Sequence, residues 1–478
     1  MLIVGERYIV APPGGSRLPQ RAEARRTMLR ITAEALGDAQ FRADYGIKYA
    51  CLAGSMYKGI SSEAFVVALG NDGCMGFLGT GGLSLSEIES SIRAIQNDLG
   101  SRPYGVNLLS NGNPATEERM VDLFLSCGVR YVEAASFARI TPALVRFRLS
   151  GVKQGAGGAI EAPHRILAKV ARPEVASAFM QPAPSAIVDR LVQSGQLTPS
   201  EAELGRLIPM AHDICVEADS GGHTERGVAY TLMPVILTLR DAMTAKHRYH
   251  SRIRVGAAGG IGTPHAAAAA FIMGADFIMT GSINQCTREA GTSESAKDIL
   301  ERLDACDTAY APAGGLFEDG GRMQVAAREL CFPGRANELY ELYQRYGSLQ
   351  EIDSKTSARI QDGYFMRSFE DVWLETRDYY SRAHPHRLRT IDADPRQKMA
   401  VVFKWYFVHS ARWAIEGHEV QRVNYQIHCG PALGAFNQWV RGTELQSWRN
   451  RRVADVTQHL MHSAAALLSN RVSSYASS

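Results

Sequence analysis

Eight short apolar runs, separated by helix-like stretches, constrain the fold of this chain more than any other feature. The runs are rich in Val, Ile, Phe and Tyr and show no strict polar alternation, which is typical of strands buried on both faces of a parallel sheet. Eight such strands with intervening helices favour an α/β fold, a closed (β/α)8 or TIM barrel, over an open sheet. The predicted strands are 47–52, 74–78, 104–108, 130–133, 165–171, 213–217, 254–257 and 276–280.

The pattern changes along the chain and predicts three parts. Residues 1–45 form an N-terminal segment, residues 46–330 form the barrel, and helix-like sequence rich in Tyr, Trp, Arg and Glu indicates a helical C-terminal domain over 331–478. The interval between the fifth and sixth strands is longer than one crossover requires and holds several prolines. We therefore expect a lid insertion at about 172–210, over the barrel mouth.

Composition excludes several classes of function. Lys and Arg total 52 against 49 for Asp and Glu, a formal net charge of +3, so no basic footprint indicates nucleic acid binding. The eight cysteines form no CxxC pair and no Cys/His spacing suited to zinc, which predicts no metal site and a reducing compartment. No apolar stretch is long enough to span a membrane. We expect a soluble, cytoplasmic protein without nucleic acid or membrane partners.

A glycine-rich loop follows the seventh predicted strand. The sequence GAAGGIG at 256–262 leads into Thr263-Pro264 and an alanine-rich helix, and Thr280-Gly281-Ser282 follows the eighth strand. Glycines allow the backbone to approach an anion closely, and barrels commonly bind phosphate after these two strands. The two loops predict a phosphate cradle rather than a Walker loop or a GxGxxG fingerprint. Two tight turns that bind nothing are the alternative.

The sequence EADSGGH at 217–223 ends the sixth strand. Its Asp-Ser-Gly-Gly stretch invites a serine-protease interpretation with Ser220 as nucleophile, but the trypsin-like fold is all-β with disulfides, unlike this chain. Gly221-Gly222 instead favours a sharp turn that presents His223 over the barrel mouth, where an imidazole can orient or protonate a substrate. The alternative is a histidine bonded only to a neighbouring loop.

Further small or polar residues follow the other strands. Ala53-Gly54-Ser55-Met56 and Gly79-Thr80-Gly81-Gly82 offer flat backbone for a ring, and Asn107 ends the third strand. Lys169 lies among apolar residues in the fifth strand, where a lysine rarely lacks a partner. It can hold an anionic ring atom or a phosphate oxygen, and a structural ion pair with Asp or Glu explains it equally well.

These motifs resemble the nitronate monooxygenase and flavin enoyl-ACP reductase superfamily, whose members have an FMN-binding barrel. Other stretches resemble one branch, the PfaD-type trans-acting enoyl reductases of polyketide and polyunsaturated fatty acid synthases. They are HRILAKVARPEV at 164–175, FMQPAP at 179–184, TGSINQC at 280–286, DTAYAPAG at 307–314, RSFE at 367–370 and CGPALGAFN at 429–437. The resemblance runs from about residue 49 to the C-terminus and includes the helical extension.

The resemblance implies that NADPH reduces FMN and that the flavin passes hydride to the β-carbon of an enoyl thioester on an acyl carrier protein. It implies a synthase complex as partner and is compatible with a homodimer. By position, His223 and Lys169 would be catalytic. The implied cofactor-binding residues are Ala53, Gly54, Ser55, Met56, Asn107, Lys169, Glu217, Ser220, Gly222, Ala258, Gly259, Gly260, Gly281 and Ser282.

One departure from the family motif stands beside His223. Related single-domain reductases read Glu-Ala-Gly-Gly-His, whereas Asp219 and Ser220 are inserted here, so the motif alone does not fix the position of His223. The sequence is also compatible with two other functions: a nitronate monooxygenase-type flavin oxygenase, and a non-catalytic assembly partner in a synthase. The long helical extension favours the reductase, because a small nitronate needs no docking surface.

Overall fold

Eight parallel strands close into a barrel in a computed structural model that describes residues 30–110 and 112–475. In spatial order they run β1-β8-β7-β6-β5-β4-β3-β2, and every neighbouring pair is parallel. The predicted barrel is confirmed. The strands are β1 Cys51–Ala53, β2 Met75–Leu78, β3 Gly105–Leu109, β4 Tyr131–Ala135, β5 Arg165–Val170, β6 Asp213–Glu217, β7 Arg254–Ala258 and β8 Ile278–Thr280.

Helices surround the barrel and build the C-terminal part of the chain. No helix among the described residues is both long and apolar enough to cross a membrane. The α-helices are α1 Ala39–Tyr45, α2 Glu63–Asn71, α3 Leu85–Leu99, α4 Pro114–Ser126, α5 Pro142–Leu149, α6 Pro173–Met180, α7 Ser185–Gln193, α8 Pro199–Gly205, α9 Ala229–His247, α10 Pro264–Ile272, α11 Ser282–Gln285, α12 Glu294–Leu300, α13 Phe332–Arg345, α14 Ser354–Ile360, α15 Phe369–Ala383, α16 Pro385–Ala393, α17 Pro395–Glu416, α18 Pro431–Trp439 and α19 Val453–Tyr475.

Helix α1 closes the amino end of the barrel. Its Phe41 stacks on Phe277 with ring centroids 4.4 Å apart, and the Tyr45 hydroxyl donates a 2.6 Å hydrogen bond to Asp213. Both aromatic side chains are buried, so this helix, from the predicted N-terminal segment, fills the barrel floor. Residues 47–50 turn beneath the barrel instead of extending β1. The open mouth lies at the carboxyl ends of the strands.

Residues 172–210, expected to form a lid, lie elsewhere. Helices α6, α7 and α8 pack on the outside of the barrel, with α6 against α9 and β5 and α7 against α5. Phe179 and Met180 are fully buried in the same apolar cluster as the barrel strands. None of these residues lines the central cavity. The expectation of a lid therefore needs correction, because these helices are amphipathic and bury their apolar faces in the outer helical layer.

The helical character predicted after residue 330 is confirmed, but the helices cover two different cores. Helices α13 to α17 enclose a second apolar cluster together with an antiparallel pair, β9 Thr308–Pro312 and β10 Arg322–Ala326. Helix α18 then packs against α11, and α19 packs against α10 and α2. Residues such as Leu433 and Leu460 belong to the barrel cluster. The chain thus leaves the barrel, builds a helical insertion, and returns to the barrel.

Candidate active site

A cavity of about 250 Å³ opens at the carboxyl ends of the barrel strands. Residues on or after all eight strands line it, and a segment before and within α18 contributes His428, Gly430 and Ala432. The structure brings every sequence-predicted site residue to this cavity except Ala53, which is buried inside β1 and pairs with Thr280. The predicted residues that line it are Gly54, Ser55, Met56, Asn107, Lys169, Glu217, Ser220, Gly222, His223, Ala258, Gly259, Gly260, Gly281 and Ser282.

Lys169 is ion-paired on the cavity floor. Its Nζ lies 2.9 Å from Glu217 Oε1 and 3.8 Å from Glu133 Oε1. Burial opposes the charge of this lysine, but Glu217 and Glu133 outweigh burial and hold the pKa of Lys169 above its ordinary value. The side chain therefore stays a cation. The sequence left two interpretations of this lysine, a structural ion pair and contact with a bound anion. The ion pair is present, and it is formed by residues that line the cavity.

Glu133 is a site residue that sequence reasoning missed. Its side chain is fully buried and accepts hydrogen bonds from the Ser55 backbone N–H at 3.0 Å and the Ser55 hydroxyl at 2.7 Å. The carboxylate thus links the loop after β1 to Lys169 on β5. A charged residue within an apolar strand was the available signal, the same one that indicated Lys169.

The predicted phosphate loops lie side by side after β7 and β8, whose register pairs Ala258 with Met279. Gly259 has φ +87°, and a Cβ there would sit 2.5 Å from the Ala218 carbonyl oxygen, so only glycine fits. At Gly260 and Gly281 a Cβ would meet nothing within 4 Å. The backbone of both loops is therefore open to the cavity, as an anion cradle requires.

The segment before His223 is anchored by the two inserted residues. Asp219 accepts a 2.6 Å hydrogen bond from the Thr224 hydroxyl and another from the Tyr310 hydroxyl, while the Ser220 hydroxyl donates to Glu217 at 3.4 Å. The short strand Gly222–His223 pairs with Met323 and Gln324 of β10. The insertion thus ties the histidine loop to the C-terminal sheet and keeps His223 in the cavity wall.

The environment of His223 favours its neutral form. His223 is exposed to solvent. The protein packed around its ring lowers the pKa of the imidazole by desolvation, and the charge of Glu217 acts in the opposite direction. Solvent can therefore exchange protons with a histidine that also faces the cavity. This combination suits a group that holds or supplies a proton at the mouth.

His428 is a second cavity histidine that the sequence did not indicate. Burial, together with the neighbouring His223, lowers the pKa of His428 to about 4. Its Nε2 lies 2.8 Å from Gln426 Nε2, and its ring centroid is 6.3 Å from that of Tyr57. No local sequence pattern predicts this position, because His428 reaches the cavity only where the chain returns to the barrel before α18. It is a neutral hydrogen-bonding group beside His223.

No group of three or more His, Cys, Asp or Glu side chains with metal-binding geometry occurs within residues 30–110 and 112–475. The polar groups that line the cavity include one lysine, two carboxylates, two histidines, the amides of Asn107 and Gln285, hydroxyls and open glycine backbone. Such a set suits a flat cofactor that carries a phosphate.

Comparison with known proteins agrees with this geometry. The family model for nitronate monooxygenase matches residues 41–310. The chain belongs to the nitronate monooxygenase family. A second family model, for the inserted helical domain of [acyl-carrier-protein] S-malonyltransferase, matches residues 346–425, which contain helices α14 to α17 of the second core.

Within the nitronate monooxygenase family, this chain resembles synthase components. It is 53% identical over 454 residues to polyketide biosynthesis protein PksE of Bacillus subtilis (strain 168), covering 95% of this chain and 59% of that protein. It is 40% identical over 415 residues to a polyunsaturated fatty acid synthase subunit of Thraustochytrium sp. (strain ATCC 26185 / S-3), covering 86% of this chain and 28% of that protein. The chain thus spans less than two thirds of these curated relatives.

A solved structure with similar bounds is the enoyl reductase domain of MlnA from the macrolactin biosynthesis cluster of Bacillus amyloliquefaciens. It shares 44% sequence identity and a TM-score of 0.89, covering 92% of this chain and 99% of that one. The resemblance to the enoyl reductases of polyketide and polyunsaturated fatty acid synthases is confirmed. These relationships place the chain among flavin-dependent oxidoreductases.

Proposed function

We propose that this chain is an FMN-dependent enoyl reductase that uses NADPH to reduce the 2,3-double bond of enoyl thioesters on an acyl carrier protein. It would act in trans within a polyketide or polyunsaturated fatty acid synthase. The observation that carries the proposal is a single cavity lined by both open glycine loops, the Lys169 ion-pair network and His223. The similarity to the MlnA enoyl reductase domain supports it.

The cavity fits FMN by the chemistry of its donors. Gly259, Gly260, Gly281 and Ser282 would hold the phosphate, because open backbone beside a helix start attracts an anion. The loop Gly54–Met56 and Asn107 would hold the ring, with Lys169 as a fixed positive charge beside it. When bound, the flavin supplies hydride transfer between the nicotinamide and the substrate.

The charge state of each cavity side chain would determine its role in the reaction. Lys169 keeps its proton because two carboxylates face it, so it would stabilise negative charge rather than transfer a proton. His223 reaches solvent and has a lowered pKa, so it would supply a proton to the α-carbon and regain it from water. Neutral His428 would hold the thioester by a hydrogen bond.

The carrier-protein part of the proposal is supported by the helical insertion. Residues 346–425 match the inserted helical domain of an [acyl-carrier-protein] S-malonyltransferase, an enzyme whose name states a carrier-protein substrate. The insertion packs on the barrel beside the cavity, since Ala411 and Ala414 of α17 line a small pocket together with Tyr57 and His428. A carrier held by this region would have its thioester arm near the mouth. A homodimer stays a prediction.

A nitronate monooxygenase is the second candidate, because the family model with that name matches residues 41–310. The two functions differ in what they consume. The reductase oxidises NADPH in step with a 2-enoyl thioester, whereas the monooxygenase consumes oxygen with an alkyl nitronate and needs no NADPH.

Steady-state assays of the FMN-loaded protein separate these candidates. We expect NADPH oxidation with crotonyl-acyl carrier protein, a large decrease in turnover for His223→Gln with FMN retained, and no decrease for the exposed-histidine control His250→Gln. Oxygen consumption with propyl nitronate, without turnover of any 2-enoyl thioester, would overturn the reductase in favour of the monooxygenase.

A further inference from the structure

A small pocket, the α17 pocket, lies where the barrel meets helix α17. It has a volume of about 20 Å³ and shares four of its lining residues with the cavity. The shared residues are Tyr57, Ile60, Gln285 and His428. The Tyr57 and His428 rings, whose centroids are 6.3 Å apart, thus belong to the walls of both spaces. The α17 pocket therefore adjoins the cavity.

The wall of the α17 pocket is largely apolar. No Lys, Arg, Asp or Glu among the described residues lines it. Two of its polar side chains, Gln426 and His428, are hydrogen-bonded to each other at 2.8 Å. Its aliphatic lining residues are Ile60, Ala411, Ala414, Ile415 and Ile427. Such a wall suits an apolar group, because a phosphate or carboxylate would lose its hydration there without gaining a charged partner.

Small side chains on α17 leave the space that forms this pocket. Ala411, Ala414 and Ile415 share one face of the helix, because they are three and four residues apart. Both alanines are buried, so a longer side chain at either position would occupy the pocket. At about 20 Å³ the pocket has room for one small group, the size of a methyl group or a water molecule. The side chains at positions 411, 414 and 415 therefore determine its size.

We propose that the α17 pocket receives the distal end of the acyl chain of the enoyl substrate, and that Ala411, Ala414 and Ile415 set the chain length that fits. The inference rests on the proposed function for the identity of this substrate. The thioester end must face the open mouth, because the carrier protein stays outside the cavity. The opposite end of the chain therefore points inward. His428, which would bind the thioester, also lines the α17 pocket, and an apolar chain end that enters this pocket leaves water.

Calorimetric titration of the FMN-loaded protein without NADPH tests this pocket in the absence of turnover. The probes are the pantetheine thioesters of 2-butenoic and 2-hexenoic acid, and the readout is the affinity for the hexenoyl probe relative to the butenoyl probe. Ile415→Ala enlarges the pocket and should raise this ratio roughly tenfold, as the burial of two further methylene groups implies. Ala414→Leu fills the pocket and should lower the ratio roughly tenfold, because the longer chain end is excluded.

The matched controls make the same two substitutions on exposed helix surfaces. Ile272→Ala truncates a side chain of α10 that is 73% exposed, and Ala242→Leu enlarges an exposed residue of α9. Neither residue lines the cavity or the α17 pocket. Both control variants should keep the affinity ratio within about twofold of the wild-type value, because exposed substitutions have small effects.

The inference is overturned if Ile415→Ala does not raise the affinity ratio, if folded Ala414→Leu does not lower it, or if a control variant shifts it as much. An unchanged ratio would leave an ordered water as the occupant of the pocket. Ile415→Ala decides the test alone if Ala414→Leu does not fold, since it removes atoms rather than adding them. If the ratio shifts but the protein with NADPH reduces neither thioester, the proposed function fails and the pocket stands. If both thioesters are reduced at a constant ratio, only the pocket fails.

Discussion

The Lys169 network allows a quantitative prediction. In Lys169→Met the buried carboxylate of Glu133 loses the one cation that lies within 4 Å of it among the described residues, and keeps two hydrogen bonds from Ser55. Removing one partner of a buried ion pair costs about 3–5 kcal/mol. We expect about 3 kcal/mol of lost unfolding free energy, the lower end of that range, because the side chain of Glu217 is 27% exposed and can be hydrated.

A double-mutant cycle shows whether unpaired charge is the cause. Glu133→Gln alone should cost about 1 kcal/mol, because neutral hydrogen bonds replace charge-assisted ones. Adding it to Lys169→Met removes the unpaired carboxylate, so the double variant should cost about 2 kcal/mol rather than the additive sum, a coupling of about 2 kcal/mol. The assay is urea unfolding followed by circular dichroism at constant FMN occupancy.

A matched control shows whether the buried position of Lys169 is the cause. The exposed-lysine control Lys246→Met should leave the unfolding midpoint unchanged. Strictly additive costs in the cycle would refute the reasoning and show that Lys169 contributes through packing alone.

Three further predictions follow from the cavity. Gly281→Asp should lose FMN, whereas the isosteric Gly281→Asn should retain it. A Cβ at this position meets nothing within 4 Å, and only the carboxylate repels a phosphate. Equal retention of FMN by the two variants in a flavin-binding titration would contradict the phosphate site. The pKa of the His223 imidazole is lowered from its ordinary value of 6.5. If His223 donates the proton, kcat/KM should therefore decline as the pH rises through this lowered pKa. A decline that persists in His223→Gln would exclude His223 as the proton donor. His428 has a pKa of about 4 when folded against 6.5 ordinarily, so the unfolded chain takes up its proton first. The urea midpoint should therefore fall as the pH drops from 6.5 to about 4, and an equal fall in His428→Gln would contradict this assignment.

The barrel could be predicted because its strands are buried on both faces and therefore stand out as apolar runs. The glycine loop after β7 could be predicted because Gly259 occupies a position where a side chain would meet the Ala218 carbonyl, so the residue type itself records the requirement. Gly221 and Gly222 predicted the turn that precedes His223. These features depend on short-range patterns, which a single sequence records directly.

The remaining features depend on contacts between distant parts of the chain. An amphipathic helix shows the same sequence pattern in a lid and in an outer layer, so the apolar faces of α6 and α7 did not predict where these helices pack. For the same reason the sequence did not predict that α18 and α19 return to the barrel. His428 enters the cavity only through that return, and Glu133 gains its role only when Ser55 and Lys169 come beside it.

The absorption spectrum of the FMN-loaded protein under anaerobic conditions tests directly whether the bound flavin passes hydride from NADPH to an enoyl thioester. We expect flavin bands that bleach on addition of NADPH and return on addition of one equivalent of a crotonyl thioester, with butyryl thioester as product. Bands that bleach but do not return with any 2-enoyl thioester would contradict the enoyl reductase. Protein that takes up no flavin would contradict the assignment of the cavity itself.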